Sequence, residues 1–269
     1  MRKFIKVASC AAAITFLAIP AFAGDHGHAA PEGKGKICEG GFGPQTPRDI
    51  DSVLGENKVT FEFAPPASEM HLCNIHFHEN AEHKANDFSI YAGDGHEGYG
   101  SGYQCNMSKE LSDAEKAWKG AGVCPSAHGD LIPGDTIEVH WVHTTCNVPG
   151  GPTLASCVSD SCANPELRVE TQVFTLVAEG GLDFNNLKLA KDLPADTGEP
   201  VQFLGSTTGP KYSESTCSPY QVTWSVRPKC AKLNINSVGE WCKGNMYNED
   251  HAHGVRALVT SPKLLSTIN

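Results

Sequence analysis

Two short segments limit what this chain can fold into. Ile75-His76-Phe77-His78 and Ile137-Glu138-Val139-His140-Trp141-Val142-His143 both read as β-strands. Strand side chains alternate with a period of two, so His76 and His78 share one face of the first strand. Glu138, His140 and Val142 share one face of the second. Brought together, three neutral imidazoles can hold a Zn2+ ion tetrahedrally and leave the fourth position to water, the layout of a catalytic zinc site. Glu138, one pleat from His140, can accept the second ring N–H of a ligand histidine and fix its tautomer. His143 falls on the opposite face and reads as a core or supporting histidine, with the third ligand position as its alternative. His83 reads as structural.

Residues 1–23 have the form of a secretory signal. Arg2, Lys3 and Lys6 form the basic region, Val7 to Pro20 contain the apolar run, and Ala21-Phe22-Ala23 is a cleavage site. Cleavage after Ala23 and a periplasmic or secreted mature protein are expected. Val7-Ala8-Ser9-Cys10 looks like a lipobox but precedes the apolar core, so lipidation is not expected. No later segment approaches the ~20 apolar residues of a membrane span. The signal holds three of the 21 basic residues and no acid, which leaves 18 basic against 31 acidic and a net charge of −13. Nucleic-acid binding depends on Lys and Arg neutralising phosphates, and this balance argues against it. Gly24 to Lys36 is rich in Gly, His and charge and is expected to be a mobile arm that carries His26 and His28.

Beyond Cys10 there are ten cysteines, an even number that points to disulfides in an exported chain. No Cys-x-x-Cys pair suggests a thiolate metal site or a redox motif. Short spacing suggests Cys157 with Cys162 and Cys230 with Cys242. With no internal repeat and no Pro/Ser linker, one domain over 37–269 is expected. Strands are expected at Val59–Phe63, Met70–His78, Ile137–His143, Leu167–Ala178, Val201–Leu204, Tyr220–Val226 and, as a last candidate, Val255–Thr260. One helical piece is expected over Ser108–Lys119, capped by Ser112. Residues 84–134 and 144–165 read as long loops, and Asp94-Gly95-His96-Glu97 as plain loop rather than a calcium site. The class is mainly β with long disulfide-tied loops and few short helices.

At this level of detail the chain resembles the carbonic anhydrases. His76-Phe77-His78 followed by Ala81-Glu82-His83 resembles the alpha-class FHFHWG…SEH segment, and Glu138 to His143 resembles its ELHLVHWN strand. Cys38-Glu39-Gly40 through Gln45-Thr46-Pro47-Arg48-Asp49-Ile50 resembles the C-x-G…QSPIDI segment, and Val222-Thr223-Trp224-Ser225-Val226 the VTWIVL strand. The four pieces occur in the family's order across most of residues 38–256. The alpha class keeps the SEH element and the third-histidine strand close, whereas 57 residues separate Glu82 from His140 here. His-Phe-His-Glu-Asn-Ala-Glu-His-Lys with Glu-Val-His-Trp-Val-His-Thr-Thr-Cys is more similar to the delta class. The resemblance is therefore to a delta-class carbonic anhydrase with an alpha-like zinc site on a large, mostly antiparallel sheet.

That resemblance implies reversible hydration of CO2 to bicarbonate and a proton by a metal-bound hydroxide. It places zinc on His76, His78 and His140, with Co2+ or Cd2+ as possible substitutes. Asn74 and Glu138 match residues that support the ligands, and Glu82 matches the glutamate that orients a gatekeeper hydroxyl. Val142 and Trp224 match the lining of the CO2 pocket, and Cys38 with Cys217 a disulfide of exported bacterial relatives. The gatekeeper segment is split here, so Thr216 is the preferred threonine and Thr207 the alternative. Asn57 stands where the family's proton-shuttle histidine would be, which leaves His71, His96, His128 or solvent. A non-catalytic exported zinc or copper carrier competes with the enzyme, as does a carbonic-anhydrase-like domain that only binds partners. The apolar wall and the Glu138/Glu82 support favour the enzyme, and the inactive form would normally lack a ligand. Oligomeric state is not legible.

Overall fold

The structure is a computed structural model and describes residues 37–268 except 39–41, 53–54, 97, 163, 210–211 and 256–258. The signal and the His26/His28 arm lie outside the described residues. A mixed six-stranded sheet is built from β1 (His71–Glu79), β6 (Thr136–Thr144), β7 (Leu167–Val177), β9 (Gln221–Val226) and β8 (Val201–Ser206), in that order, with β10 (Ala231–Asn234) against β7. Two hairpins stand apart from it: β2 (Ile90–His96) with β3 (Tyr99–Gln104), and β4 (Val123–Ser126) with β5 (Gly129–Leu131).

The pairings β1–β6, β6–β7 and β8–β9 are antiparallel. The far edge of β7 is shared in parallel by β9, along Arg168–Thr171, and β10, along Phe174–Val177. Strand β6 is buried along its whole length, which explains why apolar residues interrupt its alternation. Its odd-numbered residues Ile137, Val139 and Trp141 join Ile75, Phe77 and Phe174 in one apolar cluster. Helix α2 (Ile235–Cys242) adds Ile235, Val238 and Trp241 to that cluster. On the other face Val142, Val169, Phe203, Val222 and Trp224 form a second cluster. The sheet thus has a dry wall on each side, with the histidine-bearing face turned toward the second.

Several expectations need correction. Val59–Phe63 alternates like a strand but pairs with none and is exposed along its length. It is fastened at its ends instead, where the Asn57 N–H donates to Leu265 O and the Ala64 N–H to Thr223 Oγ1. Ser108–Lys119 shrinks to the four-residue α1 (Asp113–Lys116), preceded by a 3-10 turn at Asn106–Lys109. The Ser112 cap is present, reciprocated by Glu115. Val255–Thr260 lies partly outside the described residues, and its described part forms no strand. The Gly-rich stretch is the β2–β3 hairpin, with Asp94 and His96 in β2. At Gly102 (φ +92°) a Cβ would lie 2.5 Å from Ala81 O, so glycine lets β3 approach the segment that carries Glu82.

Cys38–Cys217 is formed as the resemblance implied, but the two short-range pairs are not. The bonds are Cys73–Cys157, Cys105–Cys230, Cys124–Cys242 and Cys146–Cys162. Sequence proximity fails here because the sheet brings remote segments together. Opening Cys73–Cys157 with a Cys73→Ser, Cys157→Ser pair is expected to lower stability by about 2–5 kcal/mol in denaturant unfolding. Unchanged stability would show that β1 holds the 144–165 loop without that bond.

Candidate metal centre

Pairing of β1 with β6 sets His76 directly opposite His140 and His78 opposite Glu138. Ring nitrogens of His76, His78 and His140 come within 4.8 Å of one another. Each imidazole is held by its other nitrogen. His76 Nδ1–H donates to Asn74 Oδ1 (2.5 Å), His78 Nδ1–H to Gly254 O (3.1 Å) and His140 Nε2–H to Glu138 Oε1 (2.7 Å). Two of these acceptors are oxygens that can only accept, and Asn74 is turned the same way by its neighbours. The outer nitrogens must therefore carry the protons and the inner ones the lone pairs. This donor set suits a divalent metal. Cobalt, cadmium and zinc all accept such ligands.

Glu138 is fully buried yet held well below the ordinary carboxylate range. Burial alone pushes it up, and the opposing pull of His83 and His140 prevails. Besides His140, it accepts from His83 Nδ1–H (2.8 Å) and from the His83 backbone N–H (3.1 Å). A second group of potential donor atoms, His83, Glu138 and His140, is thereby accounted for by hydrogen bonds. His83 packs edge-on against Trp224, 4.8 Å between ring centroids, in keeping with a structural role. Burial, reinforced by the neighbouring His140, drives His76 well below its usual value, and burial brings His78 to about 4. Both are neutral at physiological pH.

The chain turns through a left-handed Asn80 (φ 63°) after β1, and Ala81 pairs with Tyr103 of β3. This delivers Glu82, fully buried, beneath His78, whose Nδ1 lies 3.6 Å from Glu82 Oε1. The hydroxyl of Thr208 donates to the same oxygen at 3.0 Å. Neither expected threonine does so. Thr216 is exposed and pairs by backbone with Ser213, and Thr207 Oγ1 bonds Ser218 Oγ at 2.9 Å. Thr208 lies two residues past the end of β8, which closes at Ser206.

The three histidines open on a cavity of about 210 Å³ whose walls include Val142, Val169, Val222, Trp224, Leu154 and Thr208. Trp224 is oriented by its Nε1–H bond to Thr46 Oγ1 (2.8 Å). His253, unremarked in the sequence, also lines this cavity, whereas His71, His96 and His128 do not. Asn57 donates instead to Phe42 O and Leu264 O. His143 stays on the other face, its Nδ1–H donating to Trp141 O at 3.1 Å.

A family model described as Delta carbonic anhydrase matches residues 67–237, more than half of the chain. The chain belongs to the delta carbonic anhydrase family. Comparison with curated proteins and with solved structures yields no match. The family's reaction is CO2 hydration, so CO2 and bicarbonate are this carbonic anhydrase's substrates. Five disulfides suit an oxidising compartment, and no helix among the described residues is long and apolar enough to cross a membrane.

Burial also holds His143 to about 4. In an unfolded chain His78 and His143 protonate near 6.5, so below that pH the unfolded state takes up more protons. The metal-free carbonic anhydrase is expected to lose stability as pH falls from about 6.5 to about 4, by several kcal/mol in all. Denaturant midpoints across that range should show it, and His143→Leu should flatten the slope. A level profile would refute the burial account of both residues.

Proposed function

We propose that this carbonic anhydrase hydrates CO2 reversibly at a zinc ion held by His76, His78 and His140. One observation carries the reading: three inner imidazole nitrogens converge while every outer nitrogen is tied to an acceptor. When bound, zinc on neutral ligands keeps its full charge and makes hydroxide available near neutral pH, an effect for which carbonic anhydrases are themselves the type case. The chain's residues supply the rest. An ionised Glu82 can only accept, so its bond with the Thr208 hydroxyl takes the Thr208 proton. The Thr208 oxygen then faces the cavity as an acceptor, so it selects a donor there and aims that donor's lone pair at the apolar wall. Thr208 thus takes the gatekeeper role that Thr216 held in the sequence reading.

Val142 and Trp224, with Val169 and Val222, surround a space suited to a linear substrate with little need for hydrogen bonds. Asn74 and Glu138 fix the rings of His76 and His140, which lowers the reorganisation required during the reaction. Asn57 cannot carry the released proton, because an amide does not titrate. Residues 1–23 are proposed to direct export, which suits the disulfides, and 37–269 to act as one catalytic domain.

Stopped-flow CO2 hydration with metal analysis tests this reading. Wild type should be active and carry one zinc, and His140→Ala should fall to buffer background with loss of metal. Full activity in the variant would remove His140 from the ligand set, and a zinc-loaded but inert wild type would favour a carrier. Thr208→Ala should lower kcat by about 10²-fold, the usual scale for removing one oriented polar group. Thr216→Ala should leave it unchanged. The opposite pattern would return the gatekeeper role to Thr216.

A further inference from the structure

The match to the family ends at residue 237, and the segment after α2 contains a buried carboxylate with no part in the reaction described so far. Glu249 is 4% exposed. Its Oε1 accepts from Asn74 Nδ2–H (3.1 Å) and from the Thr153 N–H (2.8 Å), and its Oε2 from His253 Nε2–H (2.6 Å). We propose that Glu249 is a positioning residue for the metal centre, locking the Asn74 amide and through it the tautomer and orientation of His76. The inference rests on the zinc reading above.

Donor and acceptor count fixes the orientation of the Asn74 amide. Asn74 donates from Nδ2 to Gly151 O (2.9 Å) and to Glu249, which commits both amide hydrogens. A flipped amide would set Oδ1 against a carboxylate and a carbonyl, neither of which can donate. Oδ1 is thereby held toward His76, where it accepts the Nδ1 proton and leaves Nε2 bare for a metal. Released from Glu249, the amide can turn its NH2 toward His76 and favour the tautomer that cannot ligate. The carboxylate also polarises the amide, and a charge-assisted bond is stronger than a neutral one.

Glu249 is itself firmly placed. Asn245 Oδ1 accepts its backbone N–H (3.3 Å), and Asn245 Nδ2 donates to its carbonyl (2.6 Å) and to Trp241 O (3.1 Å) in α2. The Cys124–Cys242 disulfide anchors the end of that helix. The same segment supplies Gly254 O to His78, so residues 245–254 govern two of the three ligands.

The test uses the full-length chain, zinc affinity by competition with a chromophoric chelator, and the visible absorption of the cobalt-loaded protein. Glu249→Gln should weaken zinc binding about tenfold and Glu249→Ala by up to about 100-fold, the range for losing a ligand's outer partner. Both should shift the cobalt bands. In an Asn74→Ala background Glu249→Gln should add nothing, a non-additivity that a purely structural role would not give. Wild-type affinity and cobalt spectrum in the Gln variant would overturn the inference, and so would fully additive losses in the double variant. A wild type that binds no zinc, or a His76→Ala variant that binds it normally, would sink the underlying zinc reading instead.

Discussion

The antiparallel ladder between β1 and β6 is the interaction on which everything else depends. It opposes His76 to His140 and His78 to Glu138, and it does so through backbone bonds that are indifferent to side-chain identity. Period two makes this register unforgiving. A slip of one residue would turn the histidines of β1 into the cluster of Phe77 and Trp141 and push Ile75 and Phe77 into the cavity. The apolar residues between the histidines therefore carry the specification. Burying Ile75, Phe77, Ile137, Val139 and Trp141 on one face selects the single register that gathers the imidazoles on the other.

That gathering has an electrostatic cost, which Glu138 offsets. A fully buried carboxylate is tolerated only when its oxygens are satisfied. Here three N–H groups from His83 and His140 converge on it. Because Glu138 needs donors, it dictates which nitrogen of His140 bears hydrogen. His83 serves as its other donor, and the indole of Trp224 packs on the ring of His83 and, at 5.2 Å, on that of His140. The cavity wall and the carboxylate's support are thus one packing unit.

Much of this was legible in the sequence where the physics is local. Alternation located β1, β6 and the three histidines that converge, and Ser112 announced the short α1. What depends on closure of the chain was not legible. The disulfides join residues 84, 125, 118 and 16 positions apart, and no spacing rule reaches such pairings. Val59–Phe63 has strand composition, yet its backbone joins no sheet. Thr208, Glu249 and His253 were missed for the same reason: each matters through a partner more than a hundred positions away or through a loop with no periodicity. The polar run Asn245, Asn248, Glu249 and Asp250 was the available signal for the last two, since Asn and Asp favour tight turns that bury their own hydrogen bonds.

The outer acceptors of the three converging histidines differ in how far they travel along the chain. Asn74 and Glu138 are two residues from His76 and His140, so strand pairing alone brings them into place. Gly254 is 176 residues from His78 and arrives only when the C-terminal segment docks on β1, through His253 N–H to Phe77 O and Glu79 N–H to His253 O. The tautomer of His78 is thus fixed by a contact remote in sequence. His78 also lies nearest Glu82, which holds Thr208. Docking of residues 245–254 therefore completes the outer hydrogen bonds of the three histidines and settles His78 beside Glu82 and Thr208, which ties the order of the candidate metal site to packing of the C-terminal segment.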